Sequence, residues 1–359
     1  MKKRKKILQY TLYSIILLSV LLLFLGLVEL YSSNAYYKYR DTLKGEIRAV
    51  RLKEPFKNTD SKNLTPLGNQ IRFRTDSNRF ILPYNNLDSA DYRIFFVGGS
   101  TTECATVDED ERIHVRTAQI LNDTLPDKIS CVNIGVSGNH SMLTTTILHN
   151  QLLEYQPDIL VINHNVNDIS ILANHGSYWN KDNQRSLIVE NSDDLFQYKV
   201  GYPKHPLIRK YFPYTALVLF PTFFETSLIP DYGNQEKHDK SKLTPEEINK
   251  TFKSSILSLV NMCKAWEVTP VLFTQAENFD EEFEEPYSNL NVAETHALLN
   301  RTIRAIAQEN NIVLIDAEKY MKNQKNYFVD CVHYSNEGST FISHKIASII
   351  FDSIFNISK

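Results

Sequence analysis

The chain has 359 residues, with 39 Lys and Arg set against 42 Asp and Glu, a formal net charge of −3. That balance excludes a molecule-wide basic surface for nucleic acid. At 42% hydrophobic and 23% charged residues, the chain can bury a core and is not of disordered composition.

The first element is membrane-like. Lys2, Lys3, Arg4, Lys5 and Lys6 precede an uncharged run from Ile7 to Val28. As a helix this run spans roughly 33 Å, the thickness of a bilayer's hydrocarbon core. The basic cluster predicts a cytoplasmic N-terminus by the positive-inside rule, with everything after Tyr31 outside. Lys38, Arg40 and Lys44 weaken that bias without reversing it. Ser33-Asn34-Ala35 offers a second reading, a cleaved signal peptide. The apolar run is long for one, so an uncleaved single-pass anchor over 1–31 is expected.

Residues 32–89 are polar and aromatic with little periodicity, and read as a stalk that folds against the domain after it. From 90 to 359 short apolar runs alternate with helical stretches. The runs are Arg93–Val97, Ile129–Ile134, Asp158–Asn163, Thr269–Thr274 and Asn311–Ile315. Runs this short and continuous fit strands buried on both faces of a parallel sheet. Between them lie helices expected over Arg112–Thr124, Ser141–Tyr155, Thr244–Trp266 and Glu294–Glu309, with a last one capped by Ser335 and running to Phe355. Thr244 and Pro245 form an N-cap and first-turn pair. The pattern predicts a flavodoxin-like three-layer α/β/α sandwich with a mostly parallel five-stranded sheet. A Tyr-, Phe- and Pro-rich stretch at about 169–242 interrupts the rhythm. It reads as an insertion over one end of the sheet, either a lid or substrate wall, or a surface excursion with its own small core.

Ligands of open α/β sheets bind beyond the carboxyl ends of the strands. The first run ends in Gly98-Gly99-Ser100, the second in Gly135-Val136-Ser137-Gly138-Asn139, and the third in His164-Asn165-Val166-Asn167-Asp168; Asp330-Cys331-Val332-His333 lies past the fifth. This set has a chemical logic. A serine hydroxyl becomes a nucleophile when a base takes its proton. His333 is the candidate base, and Asp330 the carboxylate that orients it. The oxyanion formed on attack needs donors already in place. The candidates are the backbone N–H groups of Ser100 and Gly138 and the side-chain amide of Asn167.

The four blocks GGSTTE (98–103), GVSGN (135–139), NVND (165–168) and DCVHYS (330–335) resemble, in order, those of the SGNH hydrolases, the GDSL-type esterases and lipases. The resemblance covers roughly Arg93 to Phe355. The stretch FRTDSNRF at 73–80 is similar to the segment preceding the domain in membrane-anchored bacterial members of the GGS-type branch. Two departures stand out: Gly99 replaces the family's usual Asp, and Asn165 its usual Gly. The latter either narrows the oxyanion side or adds a polar contact.

The resemblance implies catalytic Ser100, Asp330 and His333, an oxyanion hole of Ser100, Gly138 and Asn167, and no metal or organic cofactor. The expected activity is hydrolysis of a carboxylic ester through an acyl-enzyme by a membrane-anchored, extracytoplasmic serine esterase. Its expected substrate is an acylated glycan or lipid, O-acetyl groups on a cell-surface or exported polysaccharide among them. Two alternatives stay open: an O-acyltransferase on the same triad, and a non-catalytic binding or assembly module of the envelope. Other residues read as structural. Thr101, Thr102 and Glu103 begin a helix, and Asp168 satisfies local backbone donors. His114, His140, His149 and His164 lack metal-ligand spacing, and Cys104, Cys131, Cys263 and Cys331 form no Cys-x-x-Cys pair. Nothing in the sequence sets an oligomeric state or points to nucleic acid.

Overall fold

All five apolar runs become strands of one sheet, and every neighbouring pair in it is parallel. The computed structural model describes residues 2–44, 61–64, 70–76, 78–179, 243–279 and 290–356. Most of the expected insertion (180–242) and much of the expected stalk lie outside the described residues.

The N-terminal helix α1, Lys2–Lys44, belongs to one compact unit and the other described elements to a second. Within α1, the 24-residue span Tyr10–Ser33 reaches a mean hydropathy of 2.6 over its 18-residue window and is long and apolar enough to cross a membrane.

The second unit begins with β1 (Ser61–Leu64) and β2 (Gln70–Phe73), an antiparallel pair that sequence periodicity did not reveal. The core strand β3 (Tyr92–Gly98) runs into the short helix α2 (Ser100–Glu103), followed by α3 (Ile113–Thr124) and β4 (Ile129–Asn133). Next come α4 (Ser141–Ile147), β5 (Ile159–Asn163) and α5 (Val166–His175). The chain continues with α6 (Pro245–Ala265), β6 (Thr269–Phe273), α7 (Val292–Asn310), β7 (Val313–Ile315), α8 (Ala317–Tyr320) and α9 (Asn336–Ile350). Thr244 closes a full capping box with Glu247 at the start of α6, satisfying two of the N–H groups a helix start leaves unpaired. Ser335 caps α9 through the Gly338 N–H at 3.2 Å. Helix α4 is shorter than expected: its last turns loosen into a π-turn at Leu148–Leu152 and a 3₁₀ turn at Leu153–Tyr155.

Alternation along each strand sends side chains to two cores. Phe95, Val97, Leu160, Ile162 and Leu272 pack with Leu143, Leu172, Leu259 and Ile303 from α4 to α7. Ile94, Phe96, Val161, Val271 and Phe273 pack with Leu121 of α3 and with Ile342 and Ile346 of α9. Full burial of side chains of this kind contributes roughly 1.5–3 kcal/mol each. The result is a three-layer α/β/α sandwich. Ile169 and Leu172 of α5 lie in the first core, so the fold continues past the point where the sequence rhythm breaks.

The strand order is β4-β3-β5-β6-β7. In sequence terms this is 2-1-3-4-5, the flavodoxin-like order, whose switch point falls between the first and third strands. Here those are β3 and β5, paired with Gly98 opposite Asn163. The crevice beyond these two residues is where the order predicts a ligand.

Residues 78–84 fold onto the outer edge of β4. The Ile81 N–H donates to the Asn133 carbonyl at 2.9 Å. Arg74 grips Glu109 with two bonds of 2.9 and 2.7 Å. The fully buried Arg112 donates to the carbonyls of Leu82 and Arg72, each at 2.6 Å, so its desolvated charge faces carbonyl dipoles.

Candidate active site

Four loops meet at the switch point. Ser100 opens α2 directly beyond β3 and is 6% exposed. The two glycines before it are required by close approach. A side chain at Gly99 would place its Cβ 2.1 Å from the Asn167 amide nitrogen, and one at Gly98 would sit 2.2 Å from Thr102 Oγ1. Gly99 thus makes room for Asn167 against the residue preceding Ser100, which any Asp at that position would displace in this backbone.

Asn167 lies in the first turn of α5, and its amide nitrogen donates to the Asn139 carbonyl at 3.0 Å. Asn139 in turn reaches the Gly98 carbonyl at 3.3 Å and Thr144 Oγ1 at 2.7 Å. Gly138, next to Asn139, has φ +72°, a left-handed conformation that glycine adopts without steric cost. The second loop is therefore pinned to both the first and the third.

Asp330 and His333 form a direct pair. Asp330 Oδ2 lies 2.6 Å from His333 Nδ1, and its Oδ1 accepts the backbone N–H groups of Val332 and His333 at 2.9 and 2.8 Å. Burial pushes the Asp330 carboxyl upward, but the hydrogen bond and charge of His333 outweigh it and hold the group below the usual carboxylate range. The loop reaches the first block through Thr101, whose hydroxyl lies 3.4 Å from the Val332 carbonyl. That contact brings the neighbours of Ser100 and His333 together. The Ser100 hydroxyl itself makes no hydrogen bond among the described residues. In ligand-free active sites such bonds are often long and tighten only with substrate.

Sequence reasoning missed Gln275. Its amide nitrogen donates to Thr101 Oγ1 at 2.8 Å while its carbonyl oxygen accepts the Val166 N–H at 2.9 Å. It bridges the first and third blocks just beyond β6. A signal for it exists: Gln275 is a polar residue directly after the fourth apolar run, the same kind of strand end that carries the other blocks. Glu103, expected only to begin a helix, is buried, and its carboxylate accepts the Ser137 N–H at 2.9 Å together with the Ser137 hydroxyl. Asn165 adds a polar contact. Its amide nitrogen donates to the His296 carbonyl and to Asn300 Oδ1, both at 2.9 Å, tying the third loop to α7.

Asp168 is fully buried. It accepts the Ser141 N–H at 3.0 Å and the hydroxyls of Ser141 and Tyr178, both at 2.5 Å. Burial pushes its carboxyl up to about 6, against these bonds, which lower it. Between about pH 3.8 and 6 the folded state therefore holds a proton that the unfolded chain has already released. Its contribution to stability is complete below the ordinary value of 3.8 and is lost as pH rises through 6. Relative to Asp168→Asn, the wild type is expected to lose about 3 kcal/mol of unfolding free energy between pH 3.5 and 8. Urea unfolding across that range measures it, and a pH-independent difference would show that Asp168 titrates alike in both states.

His114, His164 and His296 are buried. His114 bonds the carbonyls of Ile81 and Pro83, and His164 pairs with Thr144 Oγ1 at 2.9 Å. Burial lowers both to about 3, as it does His296, so all three are neutral at pH 7. Cys104, Cys131, Cys263 and Cys331 are free thiols. Among the described residues no cluster of three or more His, Cys, Asp or Glu side chains is suited to a metal ion.

The model of the GDSL-like lipase/acylhydrolase family matches residues 96–340. Solved structures similar to the chain include a lipase/acylhydrolase from Enterococcus faecalis, at 13% identity and a TM-score of 0.44, covering 72% of this chain and 95% of that one. Another is a GDSL-like lipase from Bacteroides thetaiotaomicron, at 16% identity and a TM-score of 0.42, covering 76% and 93%. A third is a catalytic mutant of an acetylxylan esterase from Geobacillus stearothermophilus, at 15% identity and a TM-score of 0.42, covering 74% and 94%. The search of curated proteins returned no match.

Proposed function

The chain belongs to the GDSL-like lipase/acylhydrolase family, and on that premise we propose that it is a serine esterase that cleaves a carboxylic ester through an acyl-enzyme on Ser100. The observation that carries the proposal is the Asp330–His333 pair at 2.6 Å, on a carboxylate whose other oxygen is held by two backbone N–H groups. A carboxylate fixed in this way orients the imidazole and stabilises the imidazolium that forms.

In the proposed reaction His333 Nε2 takes the Ser100 proton as Oγ bonds to the ester carbon. The carbonyl oxygen becomes an oxyanion, bound by the N–H groups of Ser100 and Gly138 and by the Asn167 amide. That amide has two hydrogens, and the bond to Asn139 uses one. As the tetrahedral intermediate collapses, the carbon–alkoxy bond breaks and the leaving alcohol takes the proton from His333. Water, deprotonated by the same ring, then attacks the acyl-enzyme, releasing the acid and returning the proton to Ser100. No metal or organic cofactor enters these steps.

The proposal extends to place and substrate. Tyr10–Ser33 anchors the protein in the membrane as in the GGS-type branch, with its apolar side chains exposed to lipid. The basic residues before it keep the N-terminus cytoplasmic and the catalytic domain outside. An enzyme tethered there suits removal of acyl groups, acetyl above all, from cell-surface or exported polysaccharide.

Fluorophosphonate labelling tests both parts. A permeant probe added to lysed cells should label Ser100, and a charged, impermeant one should label it equally in intact spheroplasts. No labelling in lysates would end the esterase reading, whereas labelling only after lysis would reverse the topology.

A further inference from the structure

The loop that carries Gly138 is held at both ends in the same way. On one side the Glu103 carboxylate accepts the backbone N–H of Ser137 at 2.9 Å and the hydroxyl of that same serine. On the other, Asp168 Oδ1 accepts the backbone N–H of Ser141 at 3.0 Å and that serine's hydroxyl at 2.5 Å. Glu103 closes the first block and Asp168 closes the third. Both carboxylates are buried, so their bonds are little weakened by competing water. Gly138 lies between the two serines, in a conformation that sets the direction of its own N–H.

We infer that Glu103 and Asp168 are positioning residues, a pair of carboxylate clamps that fix the Gly138 N–H toward the oxyanion by gripping the serines on either side of it. The inference rests on the proposed roles of Ser100 and the oxyanion donors. Neither carboxylate touches substrate in this scheme. Each replaces a solvent bond to a loop N–H with a charge-assisted one, which is shorter and stronger than a neutral bond. The geometry also gives Gly135 a reason: a side chain there would press its Cβ within 2.4 Å of the Glu103 backbone nitrogen, pushing the loop away from its clamp.

A clamp acts through the reach of its acceptor, and a charge acts through its sign. Two conservative variants separate these. Glu103→Gln keeps an acceptor oxygen at the same distance but loses the charge. Glu103→Asp keeps the charge but withdraws the acceptor by about 1.5 Å, one carbon–carbon bond. With the full-length chain in detergent and p-nitrophenyl acetate as substrate, Glu103→Gln is expected to hold kcat within about fivefold of wild type. Glu103→Asp is expected to lower kcat roughly 10- to 100-fold, since misplacement of a catalytic group by about 1 Å has that scale. KM should stay within about threefold in both, because the Gly138 bond strengthens mainly in the transition state. Asp168→Asn should resemble Glu103→Gln.

The inference is overturned if Glu103→Asp turns over like wild type, if Glu103→Gln is impaired as badly as Glu103→Asp, or if the loss falls on KM alone. Should Glu103→Asp fail to fold, Glu103→Gln decides alone, a loss beyond tenfold in a variant that melts like wild type counting against the clamp. Ser100→Ala run alongside keeps the two levels apart. If Ser100→Ala is inactive while Glu103→Asp is unaffected, only the clamp falls; if Ser100→Ala is active, the esterase reading falls with it.

Discussion

Ser100→Ala is expected to lower kcat on a short-chain aryl ester by a factor on the order of 10⁶, the scale at which deleting a nucleophilic serine acts in other serine hydrolases. That factor corresponds to about 8 kcal/mol of transition-state stabilisation. It is large because the hydroxyl forms the bond that splits one difficult step into two easier ones. The fold should not notice the change, since the Ser100 hydroxyl makes no hydrogen bond among the described residues, and alanine is an excellent helix former for the first position of α2. A melting temperature close to wild type, together with loss of fluorophosphonate labelling, would complete the result. Turnover near the wild-type rate would remove the proposed chemistry from this site.

Much of the fold was legible because its signals are local. A strand buried on both faces must be continuously apolar, and a run such as Ile159-Leu160-Val161-Ile162 has no other comfortable place. The start of α6 was legible for a similar reason, since Thr244, Pro245 and Glu247 satisfy or dispense with the first N–H groups without help from elsewhere. Most candidate site residues were read at strand ends, where a glycine or a polar cluster comes after an apolar run. Their assembly was not legible. The Gln275 bridge joins residues 174 positions apart along the chain at 2.8 Å, and only the strand order brings them together.

Glu103 shows the limit most clearly. In the sequence it is an ordinary first-turn acid, a favourable charge near a helix N-terminus. Its grip on Ser137, 34 residues away, depends on β4 returning beside β3. Asn165 was visible as a departure, but its bonding to α7 turned on where Asn300 sits. Gly99 was legible as a glycine, but the close approach of the Asn167 amide, which leaves no room for a side chain there in this backbone, was not. The β1–β2 pair was missed because a two-stranded ribbon four residues long carries too few side chains to show an alternation.

Asn167→Ala is expected to lower kcat by roughly 10²–10³, or about 3–4 kcal/mol, with KM little changed. The amide has no proton to exchange with Ser100, so its proposed contribution is one bond to a charge that exists only in the transition state. The structure sets a competing demand on the same group, because its nitrogen also donates to the Asn139 carbonyl at 3.0 Å. Removing the side chain leaves that carbonyl without this donor and opens space beside Gly99. A purely structural role would therefore appear as a lower melting temperature and a loss on kcat and KM together. Asn167→Asp separates the two further. It keeps the size but loses the donor once ionised, and sets a negative charge against the oxyanion, so turnover should fall at least as far as in the alanine variant. Fluorophosphonate labelling should slow in both yet persist, since Ser100, Asp330 and His333 remain in place. If labelling is unchanged while ester turnover falls only through KM, Asn167 binds the substrate in its ground state, and the oxyanion is held by the backbone N–H groups of Ser100 and Gly138 alone.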